Sequence, residues 1–151
     1  MVKEKITESD KKILNLLIEN SRKSYRQLAK DARVSIATIG NRLKKLEKNN
    51  IIRKYSTLVR YRELGYDFHV IINVKVAHGH TEKLEKKMFN SPNIESIYDL
   101  TGEFDVMLVA RFKNRKALDK YLKQLQSYEF IERTETQLIL KTLKNNPILI
   151  E

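Results

Sequence analysis

Only two residues, Arg33 and Val34, stand between the end of one helical pattern and Ser35, which has the chemistry to begin the next. So short a link between two helices leaves the chain few folds to choose from. Upstream of it, Ser24 with Gln27 makes a capping box, and Tyr25, Leu28, Ala29 and Ala32 recur behind it at helical spacing. Downstream, Ile36, Ile39, Leu43 and Leu46 share one face of a helix expected to stop near Asn49-Asn50, where asparagine accepts a left-handed backbone. An earlier helix is marked by Thr7 with Asp10 and by Ile13, Leu14, Leu17 and Ile18. Three short helices with a tight turn between the second and third make a helix-turn-helix. The run that follows, IIRKYSTLVRY, is β-rich and basic and is expected to form a small hairpin wing. Leu64-Gly65-Tyr66 punctuates it, so the first domain is expected to span residues 1–63 and the second 64–151.

The period then changes. Phe68, Val70, Ile72, Val74 and Val76 alternate strictly, as a strand with one apolar face does. His78-Gly79-His80 turns the chain into a helix from Thr81 to Asn90, which Ser91-Pro92 stops. Strands are expected from Ile94 to Leu100 and from Phe104 to Phe112, joined by a short hairpin around Thr101-Gly102-Glu103. Asn114 caps a further helix with Leu118, Tyr121, Leu122 and Leu125 inward, and a long strand from Phe130 to Leu143 completes the pattern. The order β-α-β-β-α-β is the ferredoxin-like split βαβ unit. The fold class is therefore α+β: an N-terminal winged helix-turn-helix followed by a ferredoxin-like domain.

Charge separates the two halves as sharply as period does. Residues 1–62 hold 17 Lys/Arg against 6 Asp/Glu, a balance of +11, whereas residues 63–151 hold 13 of each. A charge block of this kind points to a polyanion partner for the first half, nucleic acid being the commonest. The absence of cysteine excludes a disulfide framework and a zinc-thiolate site. No apolar run approaches the ~18–20 residues that span a bilayer. The start of the chain, MVKEKITESDKK, lacks the apolar core of a signal peptide, so a cytoplasmic location without membrane partners is expected. His78 and His80 alternate at a strand end with no third ligand nearby in sequence, which falls short of a metal site. Nucleophile elbows, phosphate loops and paired catalytic carboxylates are missing too, so no enzyme and no cofactor is expected.

A recognition helix must hold the domain with one face and offer polar groups and cations with the other. In SIATIGNRLKKLEK the positions read as outward are Ser35, Ala37, Thr38, Asn41, Arg42, Lys44, Lys45 and Lys48. Asn41 and Arg42 have the side chains that make two-point contacts with adenine and guanine, and Ser35 caps the end that approaches phosphate or base. The expected DNA-binding set is Ser35, Thr38, Asn41, Arg42 and Lys45, with Arg53 and Lys54 of the wing. Lys44 and Lys48 read as a solvated face with respect to bases, phosphate contact remaining open. Gly40 is unusual inside a helix, where glycine costs about 1 kcal/mol against alanine. It fits either a close approach to DNA or packing against another helix.

The stretch DKKILNLLIENSRKSYRQLAKDARVSIATIGNRLKKLEKNNII resembles the winged helix of the leucine-responsive/asparagine-regulator family of transcription factors, Lrp/AsnC. Gly102-Glu103-Phe104-Asp105 is similar to that family's Gly-x-x-Asp turn, and the second segment looks like its amino-acid-responsive domain. Asn50 stands where the family usually has glycine. The resemblance implies a homodimer paired through the βαββαβ domains, often built up to tetramers or octamers, on pseudo-palindromic double-stranded DNA. It also implies an amino-acid effector bound near Thr101, Gly102 and Asp105, with Thr134 and Thr136 on one face of the last strand. A glycine that exposes backbone amides suits a carboxylate, and Asp105 suits an ammonium group, although the same aspartate could simply cap its hairpin. Two rivals share the architecture: siroheme decarboxylases, which do not need so basic a first domain, and architectural proteins that compact DNA without reading it.

Overall fold

The computed structural model describes residues 5–151. Helices α1 (Glu8–Glu19), α2 (Tyr25–Ala32) and α3 (Ile36–Lys48) come first, then a 3-10 turn (Tyr61–Leu64). The order continues with β1 (Phe68–Val76), α4 (Thr81–Met88), β2 (Ile94–Asp99), β3 (Val106–Phe112), α5 (Arg115–Gln126) and β4 (Ile131–Leu138). Two compact units result. One ends at Leu58 and takes in Lys144–Glu151, and the other is Val59–Leu143, so the division falls five residues before the expected 63/64 boundary and the chain's end returns to the first unit.

In the first unit the caps form as their chemistry requires. Thr7 and Asp10 exchange hydrogen bonds as a full capping box, as do Ser24 and Gln27, and the Ser35 hydroxyl accepts from the Thr38 N–H. Behind the caps, Ile13, Leu17, Leu28, Ala29, Ala32, Ile39 and Leu43 form one buried cluster, with Leu16, Val34 and Ile52 packed on it. The turn after α2 is made by Arg33 at φ 60°, and α3 is stopped by Asn50 at φ 56°, whose neighbour Ile51 donates to the Leu46 carbonyl at 2.9 Å. Asparagine tolerates that conformation, but for arginine it costs about 1–2 kcal/mol. Arg33→Gly is therefore expected to raise the unit's stability by about 0.5–1 kcal/mol after glycine's entropic cost, read as a higher urea midpoint.

The hairpin wing does not form. Among the described residues no strand lies between α3 and β1, and residues 53–60 carry no regular secondary structure. Between Ile51 and Tyr61 there is no glycine, asparagine, aspartate or proline to reverse the chain, so its β-forming side chains have nothing to fold back on. At the chain's end, the Asn15 amide donates to the Ile150 carbonyl at 2.9 Å and accepts from the Ile150 N–H at 2.8 Å.

The second unit is a four-stranded antiparallel sheet in the order β2-β3-β1-β4. Val70, Ile72, Val74 and Val76 of β1 and Val106, Leu108, Ala110 and Phe112 of β3 are buried, together with Leu84 and Met88 of α4 and Leu118 and Leu125 of α5. The helices thus cover one face. On the other face Ile71, Met107 and Val109, brought into one patch by the β1–β3 register, are half-buried and outside this core. Strand β4 ends at Leu138, five residues short of expectation: Leu138 faces Val70 near the start of β1, and the Ile139 N–H makes a last bond to the His69 carbonyl at 2.8 Å.

Candidate nucleic-acid interface and effector turn

Helix α3 presents Ala37, Asn41, Lys44 and Lys48 as exposed positions, spaced four, three and four apart along one stripe. This stripe is centred differently from the expected one. Asn41 lies on it, while Thr38 and Lys45 are half-buried on its flank, and Lys44 and Lys48 belong to its middle. Ser35 is exposed at the N-cap, where its hydroxyl lies 2.8 Å from that of Thr38. Gly40 is half-buried beneath Tyr25: a Cβ built there would meet the ring's Cε2 at 3.7 Å, an ordinary contact, so packing between helices leaves room for alanine and does not explain the glycine. Arg53 and Lys54 are exposed on the irregular segment after α3, which is tied back to α3 by the Tyr55 hydroxyl donating to Glu47 Oε1 at 2.8 Å. Burial, with that carboxylate beside it, pushes the Tyr55 phenol up to about 12.

Arg42 is the clear correction. Read as outward, it instead reaches across to α1, donating from Nη1 to Asp10 Oδ1 at 2.7 Å and to the Thr7 hydroxyl at 2.9 Å. Asp10 is the one buried charged residue among the described residues, at 1% exposure. Burial by itself would raise its carboxyl, but hydrogen bonds from the Thr7 hydroxyl and N–H and the Arg42 guanidinium outweigh it and hold the group below the usual carboxylate range. The guanidinium expected to read a base is thus paired with a carboxylate inside the domain, while its side chain stays 30% exposed.

In the second unit, Thr101 and Gly102 are exposed in the β2–β3 connection, with Gly102 at φ 116°, a conformation open to glycine and strained for other residues. Asp105 is already engaged. Its Oδ2 accepts from the Val76 N–H at 2.9 Å and its Oδ1 faces the Lys75 ammonium at 3.3 Å. The Val76 hydrogen bond, helped by Lys75, holds its carboxyl below the usual range. Thr134 and Thr136 pair with Val74 and Ile72, so both lie on the helix-covered face, where Thr134 accepts from Gln126 Nε2 at 2.9 Å. Asp105, one residue before the buried Val106, falls by strand alternation on the opposite face. The five candidate effector residues therefore gather at one end of the sheet without forming one enclosed pocket within the chain. An open cleft of about 360 Å³ lies instead between α4 and β2, lined by Glu85, Phe89, Glu95, Ile97 and Asp99 among others. Asp105→Ala is expected to cost about 1–2 kcal/mol, because it orphans the buried Val76 N–H. Since the folded carboxyl titrates lower than the free one, its contribution is present above pH ~4 and lost as pH falls through the lowered value, which acid melts of the two proteins would show.

A family model described as the Lrp/AsnC ligand binding domain matches residues 69–149, and one described as winged helix-turn-helix DNA-binding matches residues 6–53. The chain belongs to the Lrp/AsnC family. It is 35% identical to an HTH-type transcriptional regulator of Pyrococcus horikoshii described as uncharacterized, over 91% of this chain and 93% of that one. It is 31% identical to the HTH-type transcriptional regulator LysM of Saccharolobus solfataricus, over 91% and 95%. Among solved structures, the L-Met complex of a transcriptional regulator from Neisseria meningitidis matches with a TM-score of 0.88 and 26% identity, covering 94% of each chain. The Escherichia coli AsnC structure matches at 0.88 and 26%, covering 97% of this chain and 100% of that one. Within the Lrp/AsnC frame, the residue that sequence reasoning undervalued is Lys44, and the signal was its place in the Ala37–Asn41–Lys44–Lys48 spacing.

Proposed function

We propose that the chain is a sequence-specific DNA-binding transcription regulator whose DNA binding or assembly responds to a small effector such as an amino acid. The observation that carries this reading is the exposed stripe of α3, Asn41 with Lys44 and Lys48, on a helix-turn-helix that lies within the region holding the whole +11 of the chain. Asn41 is the base-reading side chain, Ser35 and the flanking Thr38 and Lys45 approach the backbone or base edges, and Arg53 and Lys54 hold phosphates. Two copies, paired through the open face of the sheet, would set two α3 helices on a pseudo-palindrome, and pairs of dimers would build tetramers or octamers. The exposed amides around Thr101 and Gly102 suit an effector's carboxylate, a role that the L-Met complex of the Neisseria relative supports. An ammonium group would reach Asp105 beside Lys75 or in its place, since the carboxylate is 31% exposed and its oxygen accepts more than one hydrogen bond.

Selection from random duplexes followed by footprinting, without and with a panel of amino acids that includes methionine, tests both halves. A two-fold related site whose occupancy shifts with one amino acid is expected, and the absence of any preferred sequence would sink the reading. Lys54→Ala should weaken all duplexes alike and lower the slope of log K against log salt by about 1.

A further inference from the structure

The cations of the second unit are not spread evenly. Helix α5 carries Arg115, Lys116, Lys120 and Lys123 against a single acid, Asp119. Elsewhere in this unit several cations sit close to carboxylates: Arg111 to Glu95 and Arg133 to Glu103, both at 2.8 Å, and Lys75 to Asp105 at 3.3 Å. On α5 the one acid faces Arg115 at 3.7 Å. Lys116, Lys120 and Lys123 are left exposed, with no acidic partner among the described residues. They are four and three residues apart, so their ammonium groups line about 10 Å of one helix face, beside a shallow groove that Arg115 and Asp119 also line.

This arrangement works against the helix that bears it. Arg115 and Lys116 occupy the first turn, where the macrodipole favours acids and α5 has none, and Lys116 repels Lys120 one turn on. The face also lacks what a protein partner would use. Its exposed positions are lysine, arginine, aspartate and glutamine, without an apolar anchor, and lysine is depleted in protein interfaces. Lysines do suit phosphates as point charges. One strand of a duplex offers a phosphate about every 3.4 Å of its axis, several along the length of this stripe.

We propose that the outer face of α5 is a second DNA contact, a phosphate-binding surface that holds duplex beyond the site read by α3 and without regard to its sequence. It goes beyond the function proposed above and stands apart from it. The test compares the full-length protein with K116Q/K120Q/K123Q on two duplexes, one limited to the selected site and one of roughly 150 bp carrying that site at its centre. On the short duplex the two proteins should bind within about twofold of each other, since only α3 and its neighbours are engaged. On the long one the variant should show a slope of log K against log salt shallower by up to about 3, at roughly 0.9 for each phosphate no longer neutralised. A Lys→Arg version of the triple variant should behave as the original protein does, and K120Q alone should show about one third of the effect, which keeps the answer readable if the triple variant is less stable. Equal slopes on the long duplex would overturn the proposal. So would a change of oligomeric mass with unchanged slopes, which would assign the face to another protein copy. If the original protein shows no preferred site, the reading of α3 fails, while the slopes on the long duplex still decide this one.

Discussion

Arg42→Ala is expected to destabilise the helix-turn-helix by about 2–3 kcal/mol, less than the loss of a fully buried ion pair because Arg42 is itself 30% exposed. The substitution leaves the Asp10 carboxylate, at 1% exposure, with only its two hydrogen bonds from Thr7. In a unit of this size that is a fall of roughly 10 °C or more in its melting temperature, with α1 and α3 losing amide-exchange protection together. The pH dependence should move with it. Asp10 titrates below its ordinary value in the folded state, so its contribution is complete above pH ~4 and lost as pH falls through the lowered value. Without the guanidinium, burial is opposed only by Thr7, the carboxyl rises, and acid unfolding begins at a higher pH. Replacing both partners, Asp10→Asn with Arg42→Ala, should cost less than the two single losses added together, because no buried charge is left behind. If the arginine instead reads a base, the melt will stay where it is and one position of each half-site will lose its preference.

That pair also marks how far local pattern reaches. Thr7, Ser24, Ser35 and Asn114 were legible as caps because a cap needs only its own side chain and the amide three residues on. The alternation from Val70 to Val76 was legible because a covered sheet imposes a period of two. Arg42 was not, since its partner lies 32 residues away and only the packing of α1 against α3 brings them together. A signal was nonetheless present. Asp10 precedes Ile13 and Leu14 by three and four residues, and Arg42 follows Ile39 by three and precedes Leu46 by four, so each charge sits on an inward stripe. Opposite charges at two inward positions call for each other. The hairpin failed for the opposite reason: β-propensity was taken as sufficient where a turn residue was also required. The five residues expected around an effector lie toward one end of the sheet, but which face of the sheet each side chain takes depends on register, which one strand's sequence does not contain.

Register also sets the largest effect expected on DNA binding, that of Val109→Asp. Val109 lies between Ile71 of β1 and Ser96 of β2, with Met107 two residues along on the same face, which the helices leave uncovered. A carboxylate placed there faces water in a lone chain and costs little. Pressed against the same face of a second copy, it would meet its own symmetry mate in an apolar patch, where neither charge has a partner. Sedimentation should therefore report a single chain for the variant and a dimer or larger for the original protein, with far-ultraviolet dichroism unchanged. Affinity for the two-fold related site should fall by roughly 100-fold or more, because the second half-site is no longer bound at the high effective concentration that tethering provides, while affinity for one half-site changes little. Val109→Thr keeps the branched shape and should leave the assembly intact. A Val109→Asp protein that stays dimeric and binds the full site normally would move the interface off the sheet, and the pairing of α3 helices would then have to be built from another surface.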